Sequence, residues 1–391
     1  MAKPPPLLLL VALVAFGPMS IDLYLPSLPD IGRYFHADVA TTQLTLAVFV
    51  SGFALAQLVY GPLSDRFGRR PVLLGGVSLY LLSSLLCLFA SSIDMLILGR
   101  FLQALGGCSG PVLARAIVRD TYPRDQSAKV MATMASVMAL APAVAPLIGG
   151  NLHAAFGWRA NFGVLVGFGA FIIGLGLFAL KETNLHPDPR ALRPLDMLSN
   201  YAALLRDRVF LGYTLTLSFL FSGLFAFISG GSFVLIDVLG VRPEHFGLCF
   251  TVVIMGFLSG SLSAARLTGR IGLERMVALG VPLGAVAGLV MVGLALAGIQ
   301  TIWAVILPMA FCSASAGLTL PNGTAAAIGP HARIAGSASA LLGFMQMGIA
   351  AGAGWLVGQL HNGTSLPMAA VIAAMMVIAL ITHRLLVSPI R

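Results

Sequence analysis

Charge is what this sequence has least of. Of its 391 residues, 9% are charged and 58% are hydrophobic, where soluble domains carry roughly a quarter charged residues. No water-soluble fold can cover that much apolar surface. Composition therefore excludes a soluble enzyme or nucleic-acid-binding domain and implies a polytopic membrane protein. The formal net charge of +9 does not point to nucleic acid, because the basic residues sit in short loops between apolar runs. The four cysteines, Cys87, Cys108, Cys249 and Cys312, fall inside apolar runs without metal-ligand spacing. They are expected to be free thiols, with no metal and no cofactor. Histidine is also missing from the interior. His36, His153, His186, His245, His331, His361 and His383 all lie in loops or near span ends, which argues against a histidine proton relay.

What the chain does have is long apolar runs. A membrane-crossing helix takes about 20 such residues. Twelve runs qualify, at roughly 7–27, 43–63, 71–91, 94–115, 128–152, 158–180, 209–235, 245–265, 274–297, 301–327, 334–360 and 366–387. The first continues through Pro18 and Asp22 into Tyr24-Leu25-Pro26 without a small-residue cleavage site, so it is expected to stay as a span. One connection is long, 181–208. It carries Pro187, Pro189 and Pro194, with Leu195, Leu198, Ala202 and Leu205 at helical spacing. This predicts a linker with a short surface helix. The chain then divides into a first six-helix bundle (1–180), a cytoplasmic linker (181–208) and a second bundle (209–391).

The charged stretch Gly61-Pro62-Leu63-Ser64-Asp65-Arg66-Phe67-Gly68-Arg69-Arg70 is predicted to be a tight hairpin between the second and third spans. Internal duplication leaves a copy of it. Leu63, Asp65, Arg66 and Gly68 align with Leu267, Gly269, Arg270 and Gly272 at a constant offset of 204. The second copy has lost the acid, so whatever Asp65 does belongs to the first half. Lys and Arg set the expected orientation. With the first residue inside, 19 fall on cytoplasmic loops, three (Arg33, Arg159, Arg242) fall outside, and Arg100 alone lies within a span. Both termini are then cytoplasmic.

An ionisable residue within a span is a functional candidate. Asp22 is the one acid well inside a span, and Asp237 lies near the outer end of the seventh. Asp22 and Arg100 are at similar expected depth, as a working pair, as a static ion pair or as parts of an independent hydrogen-bonded network.

The hairpin pattern G-x-L-x-D-R-x-G-R-R resembles the signature loop of the major facilitator superfamily of transporters. The run Leu96-x-x-x-Arg100-x-x-Gln103-Ala104-Leu105-Gly106 resembles that superfamily's fourth-span motif, with Ala104 in place of a glycine. Ala141-Pro142-Ala143-Val144-Ala145-Pro146-Leu147-Ile148-Gly149-Gly150 is similar to its antiporter motif, with alanines at both leading glycine positions. The stretches Ser20–Pro29 and Ala114–Asp120 resemble the bicyclomycin/chloramphenicol-resistance efflux subfamily. The resemblance implies an all-α polytopic membrane protein, with twelve transmembrane helices in two six-helix bundles of the major facilitator fold. It implies proton-coupled export of small hydrophobic drugs or toxic metabolites by alternating access, from the bacterial cytoplasmic (inner) membrane. Asp22 and Arg100 would couple protons. Gly61, Asp65, Arg66, Gly68, Arg69 and Arg70 would form a conformational latch, with Asp65 attracting Arg115 or Arg119. Pro142, Pro146, Gly149 and Gly150 would bend and pack the fifth span. Tyr24, Gln103, Asn322 and Gln346 are candidates for the substrate cavity. The expected partners are a small-molecule substrate, protons and the lipid bilayer, with the chain a monomer. A proton-coupled importer and a membrane-embedded enzyme are the rival readings. The antiporter-like motif opposes the first. The second lacks a cluster of acids, histidines or a nucleophile.

Overall fold

The computed structural model describes residues 4–185, 187–189 and 194–387. Lys3, His186, Arg190, Arg193 and Arg391 lie outside them. Among the described residues every regular element is helical. Among them eleven helices are long and apolar enough to cross a membrane, and a bent pair, taken as one span, makes a twelfth.

That pair is α1, Leu7–Val14 and Phe16–Phe35, which meet at 42°. Pro18 has no N–H to donate to Val14, so the helical ladder is interrupted where the bend occurs. A 3₁₀ turn at Leu25–Ser27, with Pro26 in its first turn, carries the chain on to Phe35. The first span is therefore longer than the expected 7–27. Then follow α2 (Val39–Phe67), α3 (Arg69–Leu88), α4 (Ile93–Thr121), α5 (Arg124–Phe156) and α6 (Arg159–Ala179). The linker helix is α7 (Pro194–Arg206). The second set is α8 (Arg208–Val238), α9 (Pro243–Ile271), α10 (Leu273–Leu296), α11 (Ile302–Ile328), α12 (Ala335–Leu360) and α13 (Leu366–Val387). Side-chain caps start several of them. Asp38 accepts from the Thr41 N–H at 2.8 Å, and Asp207 from the Val209 and Phe210 N–H groups at 2.7 and 3.0 Å.

The duplication is visible residue for residue in α2 and its equivalent, α9. Shifted by 204, α2 begins and ends where α9 does. Gly68 closes α2 at φ 96°, ψ 156°, and Gly272 closes α9 at φ 88°, ψ 157°. This region of backbone space is open in practice to glycine alone. The reversal is confined to Gly68. Gly61 and Pro62 lie inside α2, so the hairpin is shorter than the ten-residue loop expected from sequence.

Two faces can be named without reference to a membrane. The terminal face carries the start of α1, the α2–α3 and α4–α5 turns, α7 and the end of α13. The distal face carries the opposite turns. Between the bundles α2 packs on α12 and α5 on α9. Their polar contacts lie toward the distal face. Ser229 Oγ donates to Gln43 Oε1 at 3.1 Å, and Arg33 pairs with Asp237 at 3.0 Å. Pro142 and Pro146 sit inside α5, which runs unbroken through both. Past them Gly149 lies against the Leu23 carbonyl of α1, and Gly150 against the Pro243 carbonyl of α9. A Cβ at either glycine would collide with backbone.

Candidate functional site

The first bundle holds two polar clusters, one buried and one on the terminal face. The buried one centres on Arg100, which is fully buried on α4. Its guanidinium lies between two rings, 4.3 Å from the Tyr24 centroid and 4.2 Å from that of Phe49. Gln103, one turn along the same helix face, accepts from Arg100 Nη1 at 2.6 Å and donates to Ser84 Oγ at 2.7 Å. Tyr24 OH is 3.1 Å from Thr45 Oγ1, and Ser20 Oγ shares a 2.7 Å hydrogen bond with Tyr80 OH. Arg100 Nε and Nη2 are buried without a hydrogen-bond partner. Two desolvated ring contacts offset part of that cost, at about 2 kcal/mol each. Each unsatisfied donor costs about 1–3 kcal/mol. The alanine that replaces a motif glycine, Ala104, is accommodated by the facing helix, because Gly52 of α2 sits opposite it.

Asp22 is 3% exposed. Among the described residues it makes no hydrogen bond or ion pair. The expected pairing of Asp22 with Arg100 is therefore not present in this structure. It rested on a first span ending near residue 27. The helix instead continues to Phe35, and the arginine is held by Tyr24, two residues further along α1.

On the terminal face, Arg69 is the hub. Its Nη1 donates to Asp65 and to Ser64 Oγ, at 2.5 and 2.6 Å, and its Nε to Asp120 of α4 at 2.9 Å. The expected attraction of Asp65 for Arg115 or Arg119 is not what forms. Arg69 is only four residues from Asp65, across the Gly68 turn, while Arg115 Nε donates to the Pro111 carbonyl of its own helix at 3.0 Å. Arg66 stacks on Phe67, and Arg70 Nη2 donates to the Leu177 carbonyl at 3.2 Å.

Glu182, which sequence reasoning passed over, completes this cluster. Its carboxylate accepts the N–H groups of Arg69 and Arg70 at 2.8 and 3.1 Å, and those of Thr183 and Asn184 at 2.9 Å each. Asn184 Nδ2 in turn donates to the Asp65 carbonyl at 2.9 Å. The carboxylate thus covers the positive N-terminus of α3. The available signal was an acid immediately after the sixth span of a chain with only 14 acids.

The cavity candidates are dispersed. Tyr24 and Gln103 belong to the Arg100 cluster. Asn322 is buried, accepting from Thr268 Oγ1 at 2.9 Å and donating to the Leu318 carbonyl at 2.8 Å, so it joins α9 to α11. Gln346 is half-buried on α12.

The match to known proteins agrees with this architecture. Residues 8–354 match the Major Facilitator Superfamily profile. The chain belongs to the major facilitator superfamily. It is 32% identical to a bicyclomycin resistance protein homolog of Haemophilus influenzae, over 95% of this chain and 93% of that one. It is 31% identical to multidrug resistance protein D of Escherichia coli, over 87% and 85%. These relatives place it with the bicyclomycin/chloramphenicol-resistance group of the superfamily. Its fold superposes on a crystal structure of a D-xylose–proton symporter with a TM-score of 0.71, at 15% identity, covering 96% of each chain. Fold and relatives are those of multi-pass membrane transporters, which take a small-molecule substrate and are embedded in lipid.

Proposed function

We propose that this superfamily member is a proton-driven exporter of small, largely hydrophobic compounds. The observation that carries the direction is the likeness, over nearly the whole chain, to proteins named for bicyclomycin and multidrug resistance. Proton coupling is supported by Asp22, a carboxyl buried deep in α1 with no partner among the described residues. An unpaired carboxylate in such surroundings is costly. The group is therefore neutral in this arrangement and loses its proton only when water or a positive charge reaches it. Arg100 has two unused donors, and one of its two stacking rings, Tyr24, is on the same helix as Asp22. It is the charge able to receive the carboxylate in another conformation. One such carboxyl carries one proton per cycle.

The transporter lies in the bacterial cytoplasmic membrane as a monomer, with its terminal face inside. The excess of Lys and Arg on that face supports the orientation. So does α7, which turns the apolar side chains of Leu198 and Leu205 outward, as a helix resting on a membrane surface does. The distal contacts between bundles then correspond to a state sealed toward the outside.

The test is flux in proteoliposomes with pH gradient and membrane potential imposed separately, using substrates found by a susceptibility panel in a pump-deficient host. A neutral substrate is expected to respond to both forces, and a monovalent cation to the pH gradient alone. Uptake into the compartment holding the terminal face, driven by protons moving the same way, would make the protein an importer.

A further inference from the structure

Arg33 and Asp237 are separated by 204 residues, the offset that relates the two halves. Residues equivalent under a two-fold meet only on the axis itself; every other contact between halves occurs as a symmetric pair. The ion pair therefore marks the pseudo-axis at the distal rim. Had both copies kept the same residue, two like charges would face each other there. The halves carry opposite charges instead, joined at 3.0 Å from Arg33 Nη1 to Asp237 Oδ1.

We propose that Arg33–Asp237 is the distal gate of the transporter, the contact that sets how much of the population is closed on that face. Because it sits on the axis, any motion that parts the halves distally must break it. Arg33 keeps a second partner within its own half, Asp30 at 3.5 Å, which is itself 3.8 Å from His153. Opening therefore leaves the guanidinium paired rather than bare. Both side chains are partly in water, 60% and 39% exposed, so the pair is weak enough to open every cycle. Its effect on the closed-to-open ratio is about two- to fivefold. Reversing the charge of Arg33 acts more strongly than removing it, because a carboxylate at that position would face both Asp237 and Asp30.

The inference rests on alternating access. Its test reads conformation without substrate, so failure to export a drug leaves the result intact. Spin labels at Ser91→Cys and Ala297→Cys, on exposed distal loops of the two halves, report their separation by pulsed electron resonance in nanodiscs, with the four native cysteines replaced by alanine. Arg33→Asp is expected to shift the population toward the longer distance by about three- to tenfold. Arg33→Asp with Asp237→Arg is expected to return it toward the parent distribution. Arg33→Ala and Asp237→Asn, milder changes that serve if the charge reversal fails to assemble, are expected to give equal, smaller shifts. An unchanged distribution in these variants, or a charge swap that does not restore closure, overturns the gate.

Discussion

The turns at Gly68 and Gly272 have the same backbone and different surroundings. Around Gly68 the chain gathers Ser64, Asp65, Arg69, Asp120, Glu182 and Asn184 into one network. At Gly272 a Cβ would meet nothing within 4 Å, and the positions equivalent to Asp65 and Arg69 are Gly269 and Leu273. The same holds deeper in the bundle. Asp22 corresponds to Ala226, and Asp38, which caps α2, corresponds to Arg242, which does not cap α9. Duplication preserved the turn geometry and the length of α2 in α9, which depend on glycine and apolar spacing. It did not preserve the charges. In the proposed mechanism the first half handles the proton and the second moves against it.

The largest expected effect bears on that division. Asp22→Asn is expected to abolish gradient-driven export while leaving downhill exchange measurable in proteoliposomes. Adding Ala226→Asp is expected not to restore it. Restoration would show that the halves are interchangeable in proton handling.

Next is the backbone shared by both turns. Gly272→Ala meets only the strained conformation, at about 1–3 kcal/mol. Gly68→Ala meets the same strain and also displaces Glu182, so its loss in thermal unfolding temperature is expected to be the greater of the two. Equal losses would mean that the Glu182 cap contributes nothing.

Asp65→Asn weakens one partly exposed pair, worth about 1 kcal/mol, while Arg69 keeps Asp120. Transport is expected to fall about fivefold with expression unchanged. Gly269→Asp in the other half is expected to change nothing, and a gain there would argue that the second turn is a dormant copy of the first.

The smallest effect is at the α2 cap. Hydrogen bonds from Thr41 hold the Asp38 carboxyl below its usual value. A lowered folded-state value means that its stabilisation is present above the ordinary carboxylate range and disappears as pH falls through the lowered value. Asp38→Ala is expected to cost about 0.5–1 kcal/mol near neutral pH and less in strong acid. Arg242→Asp should gain a similar amount by giving α9 the cap it lacks. Denaturation of the variants across pH reads both.

Much of this was legible in sequence because apolar length and charge asymmetry are local properties. The twelve spans, the linker helix and the 204-residue offset follow from them. The pairings did not follow, since depth along a helix says nothing of the direction a side chain takes. Arg100 turns to Tyr24, Phe49 and Gln103 rather than to Asp22, whose helix runs on to Phe35 instead of ending near residue 27. Asn322 reads as a polar group in a span and proves to be a tie between α9 and α11. The offset could have located Arg33–Asp237 had it been applied to loop charges as well as to the hairpin motif.

Gly149 and Gly150 give the fifth span a mechanical property. One touches the backbone of Leu23, beside Asp22, and its neighbour touches the backbone of Pro243 in the other half. With no side chain on either residue, there is no rotamer to absorb a displacement at those two points. α1 at Leu23 and α9 at Pro243 thus bear on neighbouring residues of one helix, so a shift at the first contact is expected to be felt at the second. Gly150→Ala should part the halves without disturbing Leu23, and Gly149→Ala the reverse. If the two variants alter the distal distance alike, the two contacts do not act separately.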